Sequence, residues 1–155
     1  MGIIIRNATT DDLDGISRCA EAFFEYAEFK KNGMPTDINS FRRSVSNFIN
    51  DDNGIVLCLV NEDDIVVGGI SGMVAPWPFN FRLRMCFEFY WWIDHQYRGG
   101  TNAFRMLRAF ERESKKLGAK HVVMIGISND RFKGMERLYS KMGYSHLETL
   151  FSKEI

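Results

Sequence analysis

The sequence predicts a mixed α/β domain, a central sheet flanked by about four helices. Three observations predict it. Stretches with helical spacing alternate with short β-branched runs, in the order βααβββαβαβ. One predicted strand, Arg82 to Ile93, is long and aromatic. It feeds through a glycine-containing turn into a helix, a βα step that a sheet with helices on its faces requires. At 155 residues the chain fits one domain, residues 1–155.

The elements follow in order. Ile3 to Arg6 is short and β-branched and reads as a first strand. Thr9 with Asp12 three residues on is a capping-box-like helix start. Leu13, Ile16, Ala20, Phe23, Phe24 and Ala27 then form an apolar stripe, so a helix runs to about Glu28. Lys30 to Pro35 is a loop. Ile38, Phe41, Val45, Phe48 and Ile49 make a second helical stripe. Ile55 to Val60 and Ile65 to Ile70 are β-rich runs joined by Asn61 to Asp64, an antiparallel hairpin. Gly72 to Phe81, with Pro76 and Pro78 around Trp77, reads as a loop. In Arg82 to Ile93 the odd positions are wholly apolar and predict a core face, while the mixed even positions predict a wetter one.

Ala103, Met106, Leu107, Phe110 and Leu117 mark a third helix, stopped by Gly118. His121 to Ser128 is a nearly continuous apolar run, the pattern of a strand buried on both faces. Met135, Leu138, Tyr139 and Met142 mark a fourth helix ended by Gly143. Tyr144 to Lys153 reads as a last strand with Leu147, Thr149 and Phe151 on one side.

Composition excludes several classes of function. Twenty basic residues balance twenty acidic ones, which argues against a nucleic-acid partner held by its phosphates. The three cysteines are scattered, so neither a disulfide framework nor a zinc knuckle is expected, and a reducing cytoplasm is the expected location. His95 and His121 lack metal-ligand spacing, and no metal is expected. No apolar run reaches transmembrane length, so no membrane partner is expected.

The segment richest in chemistry is Ile93-Asp94-His95-Gln96-Tyr97-Arg98-Gly99-Gly100-Thr101-Asn102-Ala103. Strand, glycine turn and helix start together aim backbone N–H groups and a positive helix end at one point, a ready anion site. Arg98 adds a charged fork for phosphate oxygens. A plain βα turn with two glycines has the same spacing.

The opening Ile5 to Leu13, the turn Arg98 to Ala103 and the run Leu138-Tyr139-Ser140-Lys141-Met142-Gly143-Tyr144 together resemble the GNAT superfamily of acyl-CoA-dependent N-acetyltransferases. They match, in order, that family's first strand and helix start, its Q/R-x-x-G-x-G/A pyrophosphate loop and its closing LYxKxGF signature. Glu88 to Ile93 is also similar to small GNAT proteins of bacteriophages. The resemblance implies a mixed, mostly antiparallel sheet, with acetyl-CoA as cosubstrate and an amine as acceptor. It leaves a homodimer open. Two departures stand out. Thr101 occupies the place of the loop's middle glycine, which leaves Gly100 to take over its role. Asn129, at the position of the family's cofactor asparagine, lies about three residues further from Tyr139 than the family's spacing.

The resemblance implies direct transfer of the acetyl group from the thioester to a neutral amine. Backbone N–H groups near Trp92 and Ile93 would polarise the carbonyl, and Arg98, Gly99, Gly100, Thr101, Asn102, Ala103 and Asn129 would hold the cofactor. Glu88 is the carboxylate inside the aromatic strand, and desolvation there should raise its pKa toward that of a general base. An ion pair with Arg82 or Arg84 is its alternative. Tyr139 matches the tyrosine that protonates the leaving thiolate, with a core position as its alternative. Phe24, Trp77 and Tyr90 are expected to border the acceptor. A non-catalytic module of the same fold, acting through a protein or nucleic-acid partner, is the competing reading of the whole chain.

Overall fold

The computed structural model describes residues 2–155. A five-stranded sheet with strand order 1-2-3-4-5 organises it: β1 (Ile4–Asn7), β2 (Gly54–Val60), β3 (Val66–Trp77), β4 (Asn80–Ile93) and β5 (His121–Val123). The first four strands are antiparallel neighbours and β5 joins β4 in parallel. Helices α1 (Leu13–Ala27) and α2 (Ile38–Asn50) connect β1 to β2, α3 (Asn102–Lys116) connects β4 to β5, and α4 (Phe132–Lys141) follows β5. This is the mixed, mostly antiparallel sheet with four helices that the sequence predicts. No helix among the described residues is long and apolar enough to cross a membrane.

Alternation along β2 shows how both faces are covered. Ile55, Leu57 and Leu59 point to one side and meet Met106 and Phe110 of α3. Val56, Cys58 and Val60 point to the other and meet Ile16 and Cys19 of α1 with Phe41 and Val45 of α2. A strand buried on both faces has no polar alternation to show, which is why its sequence is a continuous apolar run. The start of α1 is tied to β1. The Arg6 guanidinium donates to both Asp12 oxygens at 2.8 and 2.9 Å, and the Thr9 N–H donates to Asp12 at 2.7 Å.

Three expectations are corrected. Gly72 to Trp77 is not loop: β3 continues to Trp77, and Pro78-Phe79 makes the turn into β4. Pro76 stays within this strand, because a proline forfeits only its own ladder donor. Second, the strand after α3 stops at Val123, leaving Met124 to Ser128 without a ladder. Third, Tyr144 to Lys153 joins no strand, and Leu147, Leu150 and Phe151 are exposed. A period-two apolar pattern describes a chain able to pair, but pairing needs a neighbour in register.

The face assignment of β4 is also corrected, because the strand changes face midway. Its register against β3 shifts between Ser71 and Gly72: Tyr90 lies opposite Ser71, and Glu88 lies opposite Gly72. Phe89 is the extra residue of this bulge. Before it, Cys86 packs with the α3 side; beyond it, Trp91 and Ile93 take over that side, and Tyr90 joins the α1–α2 side. Gly72 permits the bend, since a Cβ there would meet the Phe87 carbonyl oxygen at 2.6 Å and the Phe110 ring at 2.7 Å.

Candidate active site

The bulge decides where β4 and β5 part. They pair at Met85 with His121, Cys86 with Val122 and Phe87 with Val123, and no further. Glu88 is the first β4 residue past this ladder. Its Oε2 accepts the Ile125 N–H at 2.7 Å, a bond that takes the place of the next strand partner. The Ile125 carbonyl accepts the Tyr139 hydroxyl of α4 at 2.9 Å. One residue of the unpaired segment thus holds the expected base and the expected acid on the two ends of its backbone.

Electrostatics distinguishes the two groups. Desolvation raises the Glu88 pKa to about 7, against a lowering by the Ile125 hydrogen bond. Glu88 has no ion pair with Arg82 or Arg84 among the described residues, and Arg84 donates instead to Asn53 Oδ1 at 2.7 Å. The Tyr139 pKa is raised, first by burial and then by the Glu88 charge, so the phenol stays protonated at neutral pH. Its ring lies 6.2 Å from that of Trp91 and 5.5 Å from that of Tyr144.

Beyond the parting of the strands, β4 has an open edge. Asp94 N–H donates to Val67 O, which sets the ladder phase: Trp92 faces β3, and the peptide groups of Trp91 and Ile93 face outward. Of the two residues expected to polarise a carbonyl, Ile93 turns its N–H outward, whereas the Trp92 amide faces β3. The Ile93 carbonyl accepts Arg98 Nε at 2.7 Å. Arg98 also lies 4.2 Å over the Trp92 ring, which Asp94 fixes through a 3.0 Å bond from Trp92 Nε1.

The following turn has the shape of an anion cradle. Gly100 takes a left-handed conformation, φ +68°, while Thr101 precedes α3 at φ −105° without strain. A side chain at the usual glycine position is thus accommodated because the positive φ falls one residue earlier. Among the described residues, the N–H groups of Gly99, Gly100 and Thr101 have no acceptor. The first N–H groups of α3, from Asn102 onward, are free of helical partners by geometry. A Cβ at Gly99 or Gly100 would meet nothing within 4 Å, so the approach is open. Asn102 Nδ2 donates to Tyr97 O at 2.9 Å and fixes the turn, and Ala103 packs against the α3 side of the core. These donors and this open edge fit a diphosphate followed by an extended amide-bearing arm.

The remaining candidates fare differently. Asn129 is committed within the protein, its Oδ1 accepting the Arg131 N–H at 3.0 Å and its Nδ2 donating to Tyr26 O at 3.3 Å. Phe24 is half-buried, edge-on to Phe41 at 5.6 Å. Tyr90 is corrected to core: it is 2% exposed among Phe23, Phe41 and Cys58, and its hydroxyl has no partner among the described residues. Trp77 is corrected as well. It lies at the hairpin tip against Phe79, five residues along β3 from the Gly72 level, roughly 17 Å of strand rise. Sequence reasoning missed Ile125, whose role lies in its backbone and has no residue-type signal. The Tyr26 ring stands 5.5 Å from that of Trp92, beside Arg98.

The acetyltransferase (GNAT) family model matches residues 18–144, and the chain belongs to that family. It is an enzyme of the N-acetyltransferase class. Its fold is similar to that of an aminoglycoside acetyltransferase from an uncultured soil metagenomic sample, with TM-score 0.75, 14% identity, and 100% and 99% of the two chains covered. It is similar also to a GNAT family acetyltransferase of Staphylococcus aureus, with TM-score 0.63, 20% identity and both chains covered in full. A ribosomal-protein-alanine N-acetyltransferase of Brucella melitensis gives TM-score 0.72 at 12% identity, again with both chains covered in full. Among curated proteins no relative matches the chain.

Proposed function

We propose that residues 1–155 form one acetyltransferase domain that moves the acetyl group of acetyl-CoA directly to a primary amine held beside it. The observation that carries this reading is the joint anchoring of Glu88 and Tyr139 on Ile125, at the point where β4 and β5 separate. Arg98, Gly99, Gly100, Thr101, Asn102 and Ala103 hold the diphosphate, by charge, by free N–H groups and by the positive end of α3. The arm then lies along the outward edge of β4, where the Trp91 peptide and the Ile93 N–H offer strand-like pairing, the Ile93 carbonyl being held by Arg98.

In this arrangement Glu88 accepts a proton from the incoming ammonium, releasing the amine lone pair. With a pKa of about 7 the carboxylate is a stronger base than an ordinary glutamate and still half ionised at neutral pH. The amine nitrogen bonds to the thioester carbon, and the carbonyl electrons move to oxygen. An outward N–H of β4 stabilises that oxyanion by about 3 kcal/mol. As the oxyanion collapses, the C–S bond breaks, Tyr139 delivers its proton to the sulfur, and the surplus proton on the new amide nitrogen passes to the phenolate so formed. Phe24 stands on the α1 side of the site and is the aromatic residue that meets the acceptor's apolar part.

The test is calorimetry with acetyl-CoA, followed by thiol release over a panel of amines and peptides. Binding with amine-dependent release is the expected result. Binding with no turnover on any amine would instead support a non-catalytic module.

A further inference from the structure

We propose that Arg131 is a second anion-holding residue of the cofactor site, set with Arg98 around the Tyr26 ring so that two guanidinium groups grip one diphosphate. The inference rests on the reading that acetyl-CoA binds at the Arg98–Ala103 turn. Tyr26 stands at the C-terminal end of α1, with the Arg98 Cζ 5.8 Å and the Arg131 Cζ 5.3 Å from its ring centroid. The two cations come from opposite sides of the parting strands, Arg98 from the turn after β4 and Arg131 from the segment after β5. Asn129 fixes the second of them. Its Oδ1 accepts the Arg131 N–H, and its Nδ2 donates to the Tyr26 carbonyl.

Charge is the second observation. Among the described residues, Arg6, Arg18, Arg42, Arg108 and Arg112 pair with carboxylates and Arg43, Arg82, Arg84, Arg105 and Arg137 do not; neither Arg98 nor Arg131 has a carboxylate within 4 Å. Both gather instead on aromatic rings. Burial and then the Arg131 charge lower the Arg98 pKa, against smaller opposing effects of Tyr26 and Asp94. An aromatic face compensates a cation only in part, and a planar guanidinium is built to bind phosphate oxygens in pairs. An anion spanning the two forks would remove the repulsion. The free N–H groups of Gly99, Gly100 and Thr101 beside Arg98 point to the coenzyme diphosphate as that anion, with a carboxylate or phosphate on the acceptor as its alternative source.

The experiment compares the parent with Arg131→Gln and Arg131→Lys. Dissociation constants are measured for acetyl-CoA and for S-acetyl-pantetheine, which has the same thioester arm without the diphosphate. Inorganic pyrophosphate serves as a third probe, read as a thermal shift. We expect Arg131→Gln to weaken acetyl-CoA by at least tenfold, as for a lost charged hydrogen bond. S-acetyl-pantetheine should bind as in the parent, the pyrophosphate shift should disappear, and Arg131→Lys should recover part of the loss. Equal weakening of both thioesters would reveal a structural role and overturn the proposal. So would unchanged acetyl-CoA binding, including the case where only the KM of an anionic acceptor rises. Failure of the parent itself to bind acetyl-CoA would overturn the cofactor reading, and this inference with it.

Discussion

Glu88 and Tyr139 are joined through a single residue: Ile125 donates its N–H to one at 2.7 Å and offers its carbonyl to the other at 2.9 Å. In an extended segment the N–H and C=O of one residue point to the same edge. Both side chains therefore close an edge where the parallel ladder has ended. The proposed base and the proposed acid are positioned by strand separation, and they differ in charge because the Glu88 pKa is raised to about 7 while the phenol of Tyr139 is held neutral.

Glu88→Gln should lower kcat by about two orders of magnitude, the range for loss of a general base. The parent's kcat/KM should rise with pH through an inflection near 7, since only the carboxylate accepts the proton. The variant should lack that inflection. A retained inflection near 7 would assign it to another group.

Glu88 also predicts a pH-dependent stability. Its folded pKa lies above the unfolded value, so between about 4.5 and 7 the folded state keeps a proton that the unfolded chain has released. Stability is then full below that window and declines as pH rises through it. Each pKa unit corresponds to about 1.4 kcal/mol, reduced here because the side chain is only partly buried. Thermal melts at pH 5 and pH 8 should show the parent losing more stability than Glu88→Gln. Equal losses would place the carboxyl in water.

Tyr139→Phe should lower kcat by about 10²-fold and leave acetyl-CoA binding near the parent value. It also removes the bond to Ile125 O, a loss of about 1 kcal/mol in stability. Burst and steady-state thiol release with a good amine acceptor are the measurements. A stability loss with unchanged kcat would make the tyrosine a core residue only.

Gly100→Ala should destabilise the protein by about 1 kcal/mol, because φ +68° is costly for any residue with a Cβ. It should also weaken acetyl-CoA binding, since relief of that strain displaces the turn's N–H groups. Gly99→Ala is the control. A Cβ there has open space and no positive φ, so its melting temperature should match the parent's.

Asp12→Asn should cost about 2 kcal/mol by breaking the charged pair with Arg6. Arg6 holds the Asp12 carboxyl below its ordinary pKa. The stabilisation is therefore present above the ordinary carboxylate range and fades as pH falls through the lowered value. Denaturant midpoints at pH 3 and pH 7 should converge for parent and variant at the lower pH.

Much of this protein was legible in its residues. Helical stripes such as Ile16, Ala20 and Phe23 located the helices, because burial of one helix face demands that spacing. Glycines and an arginine after an apolar strand located the turn before α3, because chain reversal into a helix start has few chemical solutions. Tertiary structure alone decided which residues line the site. The Phe89 bulge exchanges the faces of β4, sealing Tyr90 in the core and leaving Glu88 at the parting of the strands. Ile125 anchors Glu88 and Tyr139 through its backbone, which every residue type shares, and Arg131 meets Arg98 only through a ring on α1. Local sequence sets what a segment can form. Register and neighbours, which arise from contacts distant along the chain, set what each side chain faces.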